Sequence, residues 1–515
     1  MSFREHSELL QDVVRDRFGL LHSKLISLLW TYGPLTLHDV ALYLRQQTFD
    51  VVPPRTSSDV SLASMTATSS KIGGLSSVDD GSIKSAMALL HEHSLVNFTE
   101  SDKSYRVRLG YGLVHCVQPI LLRFLHQQYG DAGSTIVSIV LEYGALPRST
   151  LAHLATQRRP ALHEAIHPTT DQLRRDGVLV AVYDAVEEST SHEDLPALKR
   201  LRKDDYHSAA ASSSLAILAL NHSVVLHRVR LEVMTAFLQP RFDDTCFSIL
   251  KASMAADTAK LGSSSTSTTF PARIDMSNSI SLRLIRDQLP HDVPSDAFIA
   301  GVTRLSSGAN AAFLRGGGAT SEEVIRVRYD SIIDQQRMEI CEEVIFARYG
   351  ILGVRVVKLL LKNQAMEDRF LAEEAIATLH QVREILAGLI RDGTVRQQEI
   401  PKVLSADRQP KQSVFLWVIN KSLLFSTVSA HVAKSIRTAR FRLFVEEERL
   451  RNKFRDDGVT SSGTDHQNNT NSPHDAKLHQ QRLSVEHSVR AMKLSLFGMM
   501  QQMMVMELFG TPASA

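Results

Sequence analysis

The stretch RFGLLHSKLISLLWTYGPLTLHDVAL, residues 17–42, decides the fold, because versions of it return three more times along the chain. An aromatic residue, then a small or acidic one, then an apolar helical pattern recurs at Phe18-Gly19, Tyr129-Gly130, Phe242-Asp243 and Tyr349-Gly350. These starts lie 111, 113 and 107 residues apart. A period that regular, about one small domain per step, reads as a tandem array of one module. The chain is four copies plus a tail.

Working outward from the first copy, Leu21, Leu25, Leu28 and Leu29 fall at helical spacing, and Tyr32-Gly33-Pro34 ends that helix. A second helix carries Leu37, Val40, Ala41 and Leu44 on one face, and a third, Ser82 to His93, carries Ile83, Ala86, Met87, Leu89 and Leu90. Two short strand-like runs, Leu95 to Thr99 and Ser104 to Leu109, flank the turn residues Glu100 to Lys103. Three helices and a hairpin make a winged helix, a variant of the helix-turn-helix. A long helix precedes the aromatic signature at Leu113 to Gln128 and at Ser331 to Arg348, so each module is extended at its start.

The fold class expected is therefore mainly α with small β wings. Four tandem extended winged helices occupy residues 1–110, 111–185, 215–330 and 331–419. The second has its third helix at Thr169 to Asp176; the third has strands Ala311 to Leu314 and Val324 to Arg328 around a Gly316-Gly317-Gly318 turn. A polar insert, residues 50–80, interrupts the first module as a mobile loop, and a polar linker covers 186–214. Residues 420–510 form a C-terminal antiparallel coiled-coil hairpin. Its seam is Val485, Val489, Met492, Leu496, Met499, Met503 and Met506, spaced by four and three. Five methionines between Met499 and Met506 suit an adaptable packing surface rather than a cofactor.

A net charge of +2 over 515 residues speaks against indiscriminate coating of nucleic acid but allows local basic patches. Cys116, Cys246 and Cys341 are odd in number and far apart, as reduced core residues of an intracellular protein would be. No apolar run has the length of a membrane span and MSFREHSELL lacks a signal-peptide profile, so a soluble protein with no membrane partner is expected. Catalytic patterns are missing: there is no phosphate-binding glycine loop and no nucleophile elbow. One decoy stands out. His163-Glu164-Ala165-Ile166-His167 has the two-histidine spacing of a zinc protease, but Pro160 and Pro168 bracket it and leave too short a helix, so surface histidines are the reading, with no metal and no cofactor.

Taken together, the module count, the basic linker and the helical tail resemble the C-three subunit family of RNA polymerase III. The local matches are VVRDRFG at 13–19, ALLHEHSLVNF at 88–98, FARYG at 346–350, and QEIPK at 398–402 leading into VFLWVIN at 414–420. The resemblance covers Glu8 to Leu508, weakest in the third module. It implies a nuclear, non-catalytic subunit that joins two other specific subunits in a heterotrimer on the clamp of the largest subunit. It further implies contact with initiation factors and support for promoter recruitment and DNA opening in the synthesis of tRNA, 5S rRNA and other small RNAs. A TFIIE-like general transcription factor is the alternative, weakened by the lack of any CxxC pair; a winged-helix scaffold without nucleic acid is the other.

A winged helix reads DNA with its third helix and grips phosphate with its wing. The candidates for DNA contact are Lys84 on the first module's third helix, Lys103, Arg106 and Arg108 on its wing, and Arg174 and Arg175 in the second module. The third helices are poor in base-reading residues, so non-specific, salt-sensitive backbone contact is expected. Lys199, Arg200, Arg202 and Lys203 form a basic run suited to a nuclear-import signal.

Overall fold

The computed structural model describes residues 2–46, 79–181, 217–261, 276–289, 293–307, 311–317, 323–401, 413–459 and 473–509. Most of the insert at 50–80, the linker at 186–214 and Gly318 lie outside them.

One element order recurs four times. The first unit is α1 (Ser2–Phe18), α2 (Leu20–Tyr32), β1 (Leu35–Thr36), α3 (Leu37–Gln46), α4 (Asp80–Glu92), β2 (Val96–Thr99) and β3 (Ser104–Val107). The second is α5 (Leu109–Cys116), α6 (Gln118–Tyr143), β4 (Leu146–Pro147), α7 (Arg148–Arg158), α8 (His163–Arg175), β5 (Leu179–Ala181) and β6 (Ile217–Leu220). The third is α9 (His222–Leu238), α10 (Asp244–Leu261), β7 (Ile280–Ser281), α11 (Leu282–Gln288), α12 (Ser295–Ser306), β8 (Phe313–Gly317) and β9 (Glu323–Val327). The fourth is α13 (Tyr329–Asn363), β10 (Ala365–Met366), α14 (Asp368–Ala375), α15 (Leu379–Asp392), β11 (Val395–Pro401) and β12 (Ser413–Ile419).

Each unit closes a three-stranded antiparallel sheet in which the last strand in sequence lies between the other two. The outer strand opposite the hairpin is only two residues long, as in Leu35↔Tyr105 and Met366↔Trp417, too short to leave a period-2 signal in sequence. A helix precedes the aromatic signature in all four units. Gly19, Gly130 and Gly350, at φ of 96°, 68° and 66°, turn the chain from that helix into the next. Glycine occupies this left-handed conformation without the clash a Cβ brings.

Three expectations need correction. Residues 217–220, which the expected bounds put in the third module, form strand β6, which pairs Leu220 with Leu179 and completes the second unit's sheet. Gly316 and Gly317 are not turn residues but strand residues opposite Val324 and Glu323. Helix α8 begins at His163, not Thr169, and runs through Pro168. Proline removes one backbone donor there, and burial of Ile166 and Leu173 on the same helix outweighs it.

Beyond the fourth unit, α16 (Lys421–Val459) and α17 (Pro473–Met503) pack on each other, and a π-helical turn, Met504–Leu508, follows. The pairs Ser429–Glu507 and Lys493–Glu447, the latter at 2.8 Å, run in opposite senses and set the two helices antiparallel. A π turn leaves carbonyls without their usual helical donors. The buried guanidinium of Arg337 on α13 meets two of them, at Val505 and Met506.

Among the described residues, nearly all the buried apolar side chains fall into two cores. The smaller belongs to the first unit; the larger runs from α1 through the remaining units to Phe509. Helix α1 serves both, with Leu10 and Val14 in the first and Leu9 and Val13 in the second. Its polar edge is held by Arg437 of α16, which contacts Glu8, Asp12 at 2.9 Å and Glu5 at 3.6 Å, while Arg440 reaches Asp16 at 3.0 Å.

Candidate nucleic-acid interface

Three of the candidate cations of the first unit, Lys84, Lys103 and Arg106, are exposed. Helix α4 starts at the Asp79 cap, whose carboxylate accepts from the Ser82 amide, and its outer face presents Lys84 beside a groove lined by His38 and Leu42 of α3. The helix leads into the β2–β3 hairpin. Lys103 sits exposed in the turn at φ 49°, and Arg106 points outward from β3 opposite Asn97. Arg108 does not join them: its guanidinium donates to Asn97 Oδ1 at 3.1 Å and lies 5.2 Å from the Tyr111 ring centre, so it fastens the hairpin to α5.

Arg174 and Arg175 are in the last turn of α8, where cations offset the partial negative charge of the helix end. Arg174 is half-buried and engaged within the protein; Arg175 donates to the Asp171 carbonyl at 3.3 Å and stays exposed. They belong to a different unit from the first hairpin. Lys199, Arg200, Arg202 and Lys203 lie outside the described residues.

Other wing cations were missed in sequence. Arg315 on β8 donates to Thr303 at 2.8 Å, Arg326 on β9 donates to Ser279 at 3.0 Å, and Arg396 is exposed on β11. Alternation along the strand runs would have found Arg326 and Arg396; the misread glycine turn hid Arg315.

Along α17, Val489, Leu496 and Met503 are buried, as is Met506 in the π turn, while Val485, Met492 and Met499 are half-buried. His163, Glu164 and His167 are all exposed on α8, and no group of metal-ligating side chains forms among the described residues.

A second cluster, unforeseen, lies beneath the first unit. Arg17 donates to His115 Nδ1 at 2.8 Å and to Gln118 Oε1 at 2.8 Å, and His115 Nε2 faces the His93 carbonyl at 3.3 Å, which sets the ring's tautomer. Phe18 packs on His93 with ring centres 4.7 Å apart. Burial, then the neighbouring Arg17 charge, lowers His93 to about 4 and holds His115 well below the usual range. Burial lowers His222 to about 4 as well. His93 and His115 are neutral packing groups fixed by Arg17 and Phe18, and the neutral His222 packs on Tyr111.

The same signature is built differently elsewhere. Tyr129 donates to Asp176 at 2.7 Å and Tyr349 donates to Asp392, each carboxylate standing at the end of its unit's third helix. After those carboxylates come Gly177 and Gly393 at φ of 71° and 79°.

With this geometry in view, comparison with known proteins is decisive for the fourth unit. Residues 341–419 match the family model described as POLR3C, C-terminal winged-helix domain. Over that stretch the chain is similar to the C-three subunit family of RNA polymerase III. The protein named DNA-directed RNA polymerase III subunit rpc3 of Aspergillus niger is 29% identical over 110 residues, 21% of this chain and 17% of that protein. Its namesake in Aspergillus oryzae is 31% identical over 110 residues, 21% of this chain and 16% of the other. The Coccidioides immitis protein of the same name is 29% identical over 125 residues, 24% and 19% of the two chains. The matched stretches thus span less than a fifth of these relatives' length.

Proposed function

We propose that this chain is a non-catalytic subunit of DNA-directed RNA polymerase III, working in the nucleus. The observation that carries the reading is the match of residues 341–419 to the C-terminal winged-helix domain of that subunit family. In this reading the four helix-and-sheet units are tandem extended winged helices and α16 with α17 is a coiled-coil hairpin. The chain joins two further subunits in a heterotrimer, rests on the clamp of the largest subunit, meets initiation factors and supports DNA opening.

The freedom of Lys103 and Arg106 on the first hairpin supports phosphate contact there, without base reading. The internal pairing of Arg315 and Arg326 supports a protein-facing role for the third unit's wing.

Affinity purification from nuclear extract at moderate salt, read by mass spectrometry, tests the assignment. Recovery of the largest polymerase III subunits with two small partners is expected; recovery of an unrelated assembly sinks it. Bubble DNA titrated against the isolated protein tests the contact. Binding should weaken with salt, and replacing both Lys103 and Arg106 by alanine should lower the salt slope by about two.

A further inference from the structure

The fourth unit carries an irregularity that no DNA contact explains. Helix α14 ends on Ile376, which adopts φ 54° and ψ 55°. At the ends of α8 and α15 that left-handed position is filled by Gly177 and Gly393. A β-branched residue is the worst occupant of this region, because its Cβ crowds the following carbonyl. Ile376 is also 86% exposed, so it gains nothing from burial in its own fold. Strained and exposed apolar residues persist where an external contact uses them.

The surroundings say what that contact is. Leu371, Ala372 and Ala375 bury one face of α14. The opposite face presents Phe370, 60% exposed, with Glu373 and Glu374 one turn further on. Glu367 and Glu384 add negative charge, against Arg369 and Lys362; Asp368 is neutralised by Arg383 at 2.6 Å. An apolar pair inside an acidic rim repels phosphate and complements a basic chain.

We propose that the corner between α14 and α15 is a docking site for a basic, apolar-bearing helix of a partner protein, with Phe370 and Ile376 as its anchors. The inference stands on α14 and its flanks and does not depend on which assembly the chain joins.

Because the strain resides in Ile376, one substitution separates binding from folding. The full chain should bind a fluorescent leucine–lysine amphipathic peptide and reject the leucine–glutamate peptide of equal length. Ile376→Gly and Phe370→Ala should each weaken the lysine peptide at least tenfold, and Ile376→Gly should melt at the same or a higher temperature. Reversing both Glu373 and Glu374 to lysine should switch the preference to the glutamate peptide. Unchanged binding by Ile376→Gly and Phe370→Ala, or equal binding of the two peptides by the parent chain, overturns the proposal. A photo-crosslinker at position 370 in the assembled full chain gives an independent reading: attachment to a lysine- or arginine-rich protein segment supports it, attachment to nucleic acid overturns it. Should the chain enter no polymerase, the peptide measurements still decide.

Discussion

The Tyr129 hydroxyl donates to Asp176 at 2.7 Å and in turn accepts from Arg228, which also reaches the Asp176 carbonyl at 2.7 Å. The signature tyrosine of the second unit is thereby latched to the end of α8 and to α9, the opening helix of the next unit. Tyr129→Phe leaves a half-buried carboxylate and guanidinium without their shared partner. It should cost about 1–3 kcal/mol, measured by urea unfolding followed by circular dichroism. Tyr349→Phe should behave alike, since Tyr349 meets Asp392.

Glycine spacing around the same tyrosines gives a steric prediction. A Cβ at Gly353 would lie 2.4 Å from Tyr349 Cβ, and one at Gly388 would lie 2.5 Å from the ring at Cε1. Gly353→Ala pushes against the root of a side chain that cannot swing away, and should destabilise by roughly 1–3 kcal/mol. Gly498→Ala is the control. It meets nothing within 4 Å on α17 and should stabilise by about 0.5–1 kcal/mol. Thermal melts of the two variants should move in opposite directions.

Acid should act through the buried imidazoles. His93 and His222, each lowered to about 4 from 6.5, take up protons more readily when unfolded. Their contribution is complete above pH 6.5 and is lost as pH falls towards 4. Unfolding measured between pH 7 and pH 4 should show that loss, and His93→Gln should flatten it.

The clamp on α1 rests on one guanidinium facing three carboxylates. Arg437→Ala should loosen α1 more than it unfolds the molecule, at a cost of about 1–2 kcal/mol given its partial exposure. Hydrogen exchange is the measurement. The amides of Ser2–Phe18 should gain exchange, and those of the fourth unit should keep their protection.

The recurrence of Phe18-Gly19, Tyr129-Gly130 and Tyr349-Gly350 was legible in the sequence because each glycine must take a conformation other residues avoid. The helices that follow were legible through their apolar spacing. Strand β6 was not: Leu220 pairs with Leu179, 41 residues earlier, and nothing local marks the pairing. Nor was the engagement of Arg108, which depends on Asn97 and Tyr111 arriving at the same corner. Ile376 gave no warning either, since an isoleucine after a helix reads as core and only the backbone angle reveals otherwise.

The two cores served by α1 bear on how the molecule is made. Leu9 and Val13 need partners that the ribosome supplies much later, and Glu8 and Asp12 wait for Arg437. Helix α1 therefore stays half-dressed until α16 has emerged, while its other face can settle at once on the first unit. Because synthesis is sequential, a late step of this fold returns to α1, and an interval of exposed leucine and valine is the cost. A newborn chain halted before residue 437 should be the form that a chaperone holds longest.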